Sequence, residues 1–218
     1  MTAEILKQMA EELMKCRACT FRQQAIAPVG WFGSEASPLI IVGEGPGLVE
    51  DEYGLPLIGP SGQLLDKALW AAKMTRDKVL TTNIIKCRPH NNKTPNLAEA
   101  DFCARLWLDR ELREIRPAVV VALGSVALHY LCGADKKISR DRGLWFKAAA
   151  GYDCIATYHP AYLLRLTGPS LVKAKWDVFH DLETARDRAL SLRPGYEFSS
   201  AAPADLRSLT QKRVRRQR

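Results

Sequence analysis

From residue 38 to residue 158 the chain alternates short unbroken apolar runs with longer stretches in which apolar positions recur every three or four residues. The runs "PLIIVGE" (38–44), "KVLTTNIIKC" (78–87), "AVVVALG" (118–124) and "YDCIATY" (152–158) are short and rich in β-branched residues. That pattern predicts strands covered on both faces, as in parallel sheets. "LWFKAA" (144–149) reads as a further short strand. The helical periods cover residues 2–15, with Ile5, Met9, Leu13 and Met14 on one face, and "GQLLDKALWAAK", for which Ser61 is placed to cap the first turn. They continue through 97–115, "SVALHYLCG" (125–133) and 170–192. Strands alternating with helices predict an α/β fold, a three-layer α/β/α arrangement around a mainly parallel sheet of about four strands. Residues 1–192 form the expected domain, and 193–218 a basic, flexible tail.

In such sheets, ligands collect beyond the carboxyl ends of the strands. Three loops emerge there: 44–60, 87–96 and 158–165. The chemically unusual residues fall in these loops, which makes them the candidate site.

Composition narrows the class. Apolar residues make up 47% of 218, enough for a sizeable core. The uncharged run 117–134 has the length of a membrane span, but its Gly124-Ser125 step predicts a strand turning into a helix. The first helix is amphipathic and carries acids, unlike an export signal. The expectation is a cytoplasmic monomer whose six cysteines stay reduced. The net charge is +8, and the tail holds seven of the 32 Lys/Arg against two of the 24 Asp/Glu. "TQKRVRRQR" therefore suits a polyanion, or simply a solvated end.

Cys16 and Cys19 form a C-x-x-C pair after the first helix. Cys87 ends a strand run and Cys103 sits on a later helix. Four thiolates can hold a [4Fe–4S] cluster or a zinc ion. Cys132 and Cys154 lie in apolar surroundings and read as core.

Five pieces, in order, carry a resemblance: "GEGPG" (43–47), "EDEYGLPLIGPSGQLLD" (50–66), "TTNIIKCRPHNNKTP" (81–95), Cys103 in its helix, and "YHPAYLLR" (158–165). With the first cysteine pair they resemble family 4 of the uracil-DNA glycosylase superfamily, the iron–sulfur uracil-DNA glycosylases. The resemblance implies cleavage of the N-glycosidic bond of uracil in single- or double-stranded DNA. It also implies a structural [4Fe–4S] cluster on Cys16, Cys19, Cys87 and Cys103.

The residues fit that chemistry. A base inside a duplex is out of reach and must be flipped into a pocket. His159 can donate a hydrogen bond to the uracil oxygen on which charge builds, as an oxyanion hole does. The Asn83 amide offers one donor and one acceptor, matching uracil O4 and N3–H and mismatching cytosine; the competing reading is a strand-end cap. Glu44 is the first candidate for orienting water or opposing the sugar cation, with Glu50 and Asp51 behind it. The resemblance also implies that Gly45, Pro46 and Leu57 line the base. Gly47, Ser61 and Gly62 offer backbone N–H groups to phosphate. Leu163 and Leu164 are the candidates to fill the vacated stack, or else pack in the core, and Arg165 meets a phosphate.

Two departures stand out. The family usually has Phe where this chain has Leu57, losing an aromatic face worth roughly 1–3 kcal/mol of base stacking. A related group that bonds covalently to its product uses a histidine at the position of Asn92, while His90 lies two residues away. The alternatives to turnover are accordingly an iron–sulfur DNA-binding or product-trapping homologue, and a zinc-stabilised structural protein.

Overall fold

The computed structural model describes residues 2–148, 151–200 and 206–213. In chain order the elements are α1 (Thr2–Lys15), α2 (Phe21–Gln24), β1 (Leu39–Gly43), α3 (Leu48–Tyr53), α4 (Pro60–Ala71), β2 (Leu80–Asn83), α5 (Leu97–Leu106), α6 (Leu108–Ile115), β3 (Val119–Leu123), α7 (Gly124–Cys132), α8 (Ile138–Asp141), β4 (Trp145–Lys147), β5 (Asp153–Thr157), α9 (Pro160–Leu163) and α10 (Gly168–Leu192). The sheet order is β2-β1-β3-β5-β4. The first four of these strands run parallel, and β4 closes the edge antiparallel to β5.

The unbroken apolar runs are explained by burial on both faces. Ile40, Val42, Val120, Ala122, Cys154 and Ala156 pack with α1, α5, α6 and α7. Their neighbours Leu39, Ile41, Val119, Val121 and Ile155 pack with α4, α9 and α10. Period-two alternation thus feeds two apolar layers. Among the described residues no helix is long and apolar enough to cross a membrane. The 117–134 run is split between β3 and α7, which begins at Gly124.

Several expected boundaries shift. The buried stripe of α1 is Leu6, Met9 and Leu13, with Ile5 and Met14 left exposed. The 97–115 helix breaks at Trp107 (φ −124°, ψ −55°) into α5 and α6. The 45–60 loop contains α3, whose first turn Glu50 caps by accepting from the Gly47 N–H at 3.0 Å. Gly59, not Ser61, is the N-cap of α4, with Pro60 in the first helical position. Strand β2 stops at Asn83 instead of running to Cys87.

The described parts of the tail lie back on the body. Phe198 is buried, and its carbonyl accepts from the Thr75 N–H at 2.8 Å. Lys212 pairs with Glu52 at 3.1 Å, and the Arg213 N–H donates to the Glu52 carbonyl at 2.5 Å. Arg215, Arg216 and Arg218 of the expected polyanion arm lie outside the described residues.

Candidate functional site

Parallel pairing brings the loop-bearing strand ends to one edge. Gly43 and Asn83 are register partners at the ends of β1 and β2. Leu123 and Thr157 are partners at the ends of β3 and β5. Glu44, Asn83 and His159 therefore leave the same end of the sheet, with β3 lying between the β1–β2 pair and β5.

The β1–β2 side is built around a bare glycine. A Cβ on Gly43 would overlap Asn83 Oδ1 and lie 3.5 Å from a Leu57 methyl, so the amide and the leucine flank the same stretch of backbone. Asn83 is 1% exposed, and neither Oδ1 nor Nδ2 has a hydrogen-bond partner. A buried amide left in that state costs about 1–3 kcal/mol. A strand cap would bond its own chain, so the capping reading does not describe this side chain. Gly45 packs against Ile85, and Pro46 is buried beside it.

On the β5 side, His159 is the N-cap of α9, and its Nδ1 accepts from the Ala161 N–H at 3.1 Å. With Nδ1 engaged as acceptor, the ring proton resides on Nε2. Burial, helped by the Arg165 guanidinium, lowers the imidazole pKa to about 4, so the ring is neutral near pH 7. Gly124 backs it with φ +81°, and a Cβ there would come within 2.9 Å of His159 Cβ. Only a residue without a side chain serves both demands.

Glu44 is half-buried, and its pKa is raised by burial, with Thr94 and Arg165 pulling it back down. Arg165 thus acts on both Glu44 and His159. The reserve carboxylates are committed elsewhere. Glu50 accepts from Gly47, Ile58 and Gly59 N–H groups at 3.0, 3.0 and 2.7 Å. Asp51 accepts from the Ile26 N–H at 2.8 Å. The Glu50 bonds hold the 54–59 loop and the Asp51 bond holds the segment at Ile26, leaving Glu44 as the carboxylate at the strand ends.

Leu57 is buried with φ +53°, a left-handed conformation uncommon for a leucine. It is held from behind by Arg76, which is buried and donates to the Pro56 and Leu57 carbonyls at 2.7 and 2.8 Å. Ser61 and Gly62 lie in the first turn of α4, with Gly62 packed on the Leu57 carbonyl. In α9 the two leucines diverge. Leu163 is 5% exposed and joins the α4–α10 core, whereas Leu164 is 52% exposed. One turn of helix forces this, because successive residues point about 100° apart. Leu163 is thereby removed from the expected wedge; Leu164 and the exposed Arg165 remain.

Sequence reasoning missed Arg76, Thr94 and Gly124. Arg76 and Gly124 carry no local signal of their role, which exists only once distant segments pack. Glu50 had one: its place three residues after Gly47 is a capping spacing. Two broad clefts, of about 1060 and 780 Å³, lie elsewhere, and neither is lined by Glu44, Asn83 or His159.

Cys87 and Cys103 are buried, while Cys16 and Cys19 are half-buried. Burial raises the Cys87 thiol, and so do Cys103, Cys19 and Cys16; Arg22 opposes them. Cys103 is pushed up to about 11 by burial, with Cys19 and Cys16 contributing and the Lys86 N–H, 3.4 Å from its sulfur, opposing. The four thiols therefore share one neighbourhood, in a donor set that suits a thiolate-bound group. Among the described residues no three His, Cys, Asp or Glu gather as closely as a single metal ion requires. A four-iron cluster, bound by one thiolate per iron, spreads its ligands wider.

The profile of the Uracil DNA glycosylase superfamily matches residues 31–183. The chain is 35% identical over 184 residues to the type-4 uracil-DNA glycosylase of Thermotoga maritima, covering 84% of this chain and 94% of that one. To the type-4 uracil-DNA glycosylase of Archaeoglobus fulgidus it is 35% identical over 168 residues, 74% of this chain and 84% of the other. To that of Saccharolobus solfataricus it is 31% identical over 200 residues, 87% and 88% of the two chains.

Proposed function

This chain belongs to the uracil-DNA glycosylase superfamily, with the type-4 enzymes, and we propose that it hydrolyses the N-glycosidic bond of uracil in DNA after flipping the nucleotide out of the stack. The observation that carries the reading is the Asn83 amide, buried with both polar atoms unpartnered beside a bare Gly43. Uracil supplies the two missing bonds: Nδ2 donates to O4, and Oδ1 accepts from N3–H. Cytosine presents the reverse pattern at both atoms, and a bidentate contact of this kind discriminates by roughly 1–3 kcal/mol.

In the reaction the bond between the sugar C1′ and uracil N1 breaks, and its electron pair delocalises onto the base, chiefly at O2. His159 donates its Nε2–H to that oxygen. The imidazole acts neutral, because burial holds its pKa at about 4, and its direction is set before substrate arrives by the Ala161 N–H. Glu44, as carboxylate, opposes the positive charge growing on the sugar and takes a proton from the water that adds to C1′. Its burial raises its basicity for that step. Leu57 covers one face of the base, with Gly45 and Pro46 at the rim. Leu164 enters the vacated stack and Arg165 meets a backbone phosphate, joined by N–H groups at Gly47, Ser61 and Gly62.

Cys16, Cys19, Cys87 and Cys103 would hold a [4Fe–4S] cluster, which would tie the segment after α1 to the loop after β2 and to α5. A brown preparation containing iron and sulfide supports this; zinc alone in the purified protein overturns it.

Incubation with a labelled oligonucleotide containing one uracil tests the function. Release of free uracil, absent for the cytosine control, is the expected result. DNA binding without release of base would leave a binding protein instead, and a protein–DNA adduct stable to denaturation would make it a product-trapping one.

A further inference from the structure

We propose that Lys86, through its buried pairing with Glu111, is the residue that positions Asn83 for reading the base; this rests on the assignment of Asn83 above. Lys86 and Glu111 are each 1% exposed and pair at 2.7 Å. A buried lysine–carboxylate pair adds little to net stability compared with an apolar pair of the same size. Its geometry is the informative part. Lys86 Nζ donates to the Asn83 carbonyl at 2.9 Å, to Thr82 Oγ1 at 2.7 Å and to Glu111 Oε2 at 2.8 Å. The Thr82 hydroxyl in turn donates to Glu111 Oε2 at 2.8 Å. Every direction around the ammonium is used, and one of them ends on the backbone of Asn83.

That backbone bond matters because the Asn83 side chain has no protein partner of its own. Its aim is inherited from the direction of its Cα–Cβ bond, hence from the peptide planes on either side. On the β1 side the Ile84 N–H donates to the Gly43 carbonyl at 2.9 Å. The Asn83 carbonyl shares a trans peptide with that N–H and so points away from β1, to the outer edge of the sheet, where β2 is the last strand. Lys86 supplies the donor for that carbonyl. Lys86 is itself anchored at its main chain: its carbonyl accepts from the Val29 N–H at 2.7 Å, and its own N–H donates to Cys103 Sγ at 3.4 Å. The loop that turns from the base-reading residue toward Cys87 is therefore closed by one side chain.

The test separates positioning from folding. Lys86→Met alone leaves Glu111 buried without its cation and is expected to fold poorly. Lys86→Met/Glu111→Leu removes both charges and fills the same volume; it leaves the Asn83 carbonyl and the Thr82 hydroxyl unpaired, so its thermal midpoint is expected below that of the wild type but well above that of Lys86→Met. Competition by free uracil against uracil-containing DNA reads base recognition apart from chemistry. In the double variant, inhibition by uracil should weaken about tenfold, within the range of one bidentate base contact, while affinity for uracil-free DNA stays unchanged. Adding Asn83→Ala to the double variant should cost little more, because the two changes remove the same contact. Undiminished inhibition by uracil in a folded double variant overturns the proposal, as does full additivity with Asn83→Ala. A wild-type protein that releases no uracil overturns the proposed function instead, which keeps the two failures distinct.

Discussion

His159 Nδ1 accepts the backbone N–H of Ala161 at 3.1 Å. The histidine caps the helix that follows it, and the same bond places the ring proton on Nε2. A structural bond thus selects the tautomer that the chemistry needs.

Replacing His159 by Asn should lower single-turnover uracil excision roughly a hundredfold, the typical loss of one oxyanion-type donor, about 3 kcal/mol. Because burial holds the imidazole at about 4, the wild-type rate should show no step near pH 6.5. The folded pKa lies below the unfolded one, so the unfolded chain binds the extra proton. Stability should therefore fall as pH drops from about 6.5 toward 4, and that part of the fall should disappear in His159→Gln. Urea denaturation midpoints across this window measure it.

For Glu44 the signs reverse. Burial raises its folded pKa above 4.5, so a neutral side chain relieves the cost of a buried charge at higher pH. Glu44→Gln should be at least as stable as the wild type near pH 7, with any gain vanishing below pH 4.5. Excision should be strongly reduced, and the acid limb of kcat/KM, set above pH 4.5 in the wild type, should flatten. An unaltered acid limb would point to a different carboxylate.

The neighbouring leucines of α9 should part ways. Leu163→Ala empties a core position and should cost about 2–5 kcal/mol of stability, read as a lowered thermal midpoint. Leu164→Ala should leave the midpoint unchanged and reduce excision from duplex DNA more than from single strands, where there is no stack to fill. Comparing the two substrates separates insertion from general binding.

Leu57→Phe should raise uracil excision by restoring an aromatic face over the base, up to the roughly 1–3 kcal/mol of a stacking contact. The left-handed backbone at 57 is no worse for Phe than for Leu, since both carry an unbranched Cβ. Steady-state kcat/KM on one oligonucleotide decides it; an unchanged or lower value would remove Leu57 from the base-covering position.

Much of the architecture was legible in the chain because its causes are local. Unbroken β-branched runs can only be strands covered on both sides, and their alternation with amphipathic stretches leaves one economical arrangement, a parallel sheet between helices. Glu44, Asn83 and His159 stand out as polar residues where apolar runs end. What local pattern could not supply was direction. Leu163 and Leu164 look alike in the sequence, and only the packing of α9 against α4 decides which is buried. The place of Glu44 at the end of β1 sets it ahead of Glu50 and Asp51, but only the fold shows that backbone N–H groups engage the other two. Arg76 carries no signal in one dimension, since the carbonyls it holds belong to a segment placed beside it by folding, and the carboxylate paired with buried Lys86 comes from Glu111 in α6. The sequence by itself determined which elements form and which residue types reach the strand ends, because period and propensity act over a few residues. Tertiary structure alone decided which polar atoms are already satisfied and which remain for a ligand, because hydrogen bonding inside a protein is settled between segments far apart in the chain.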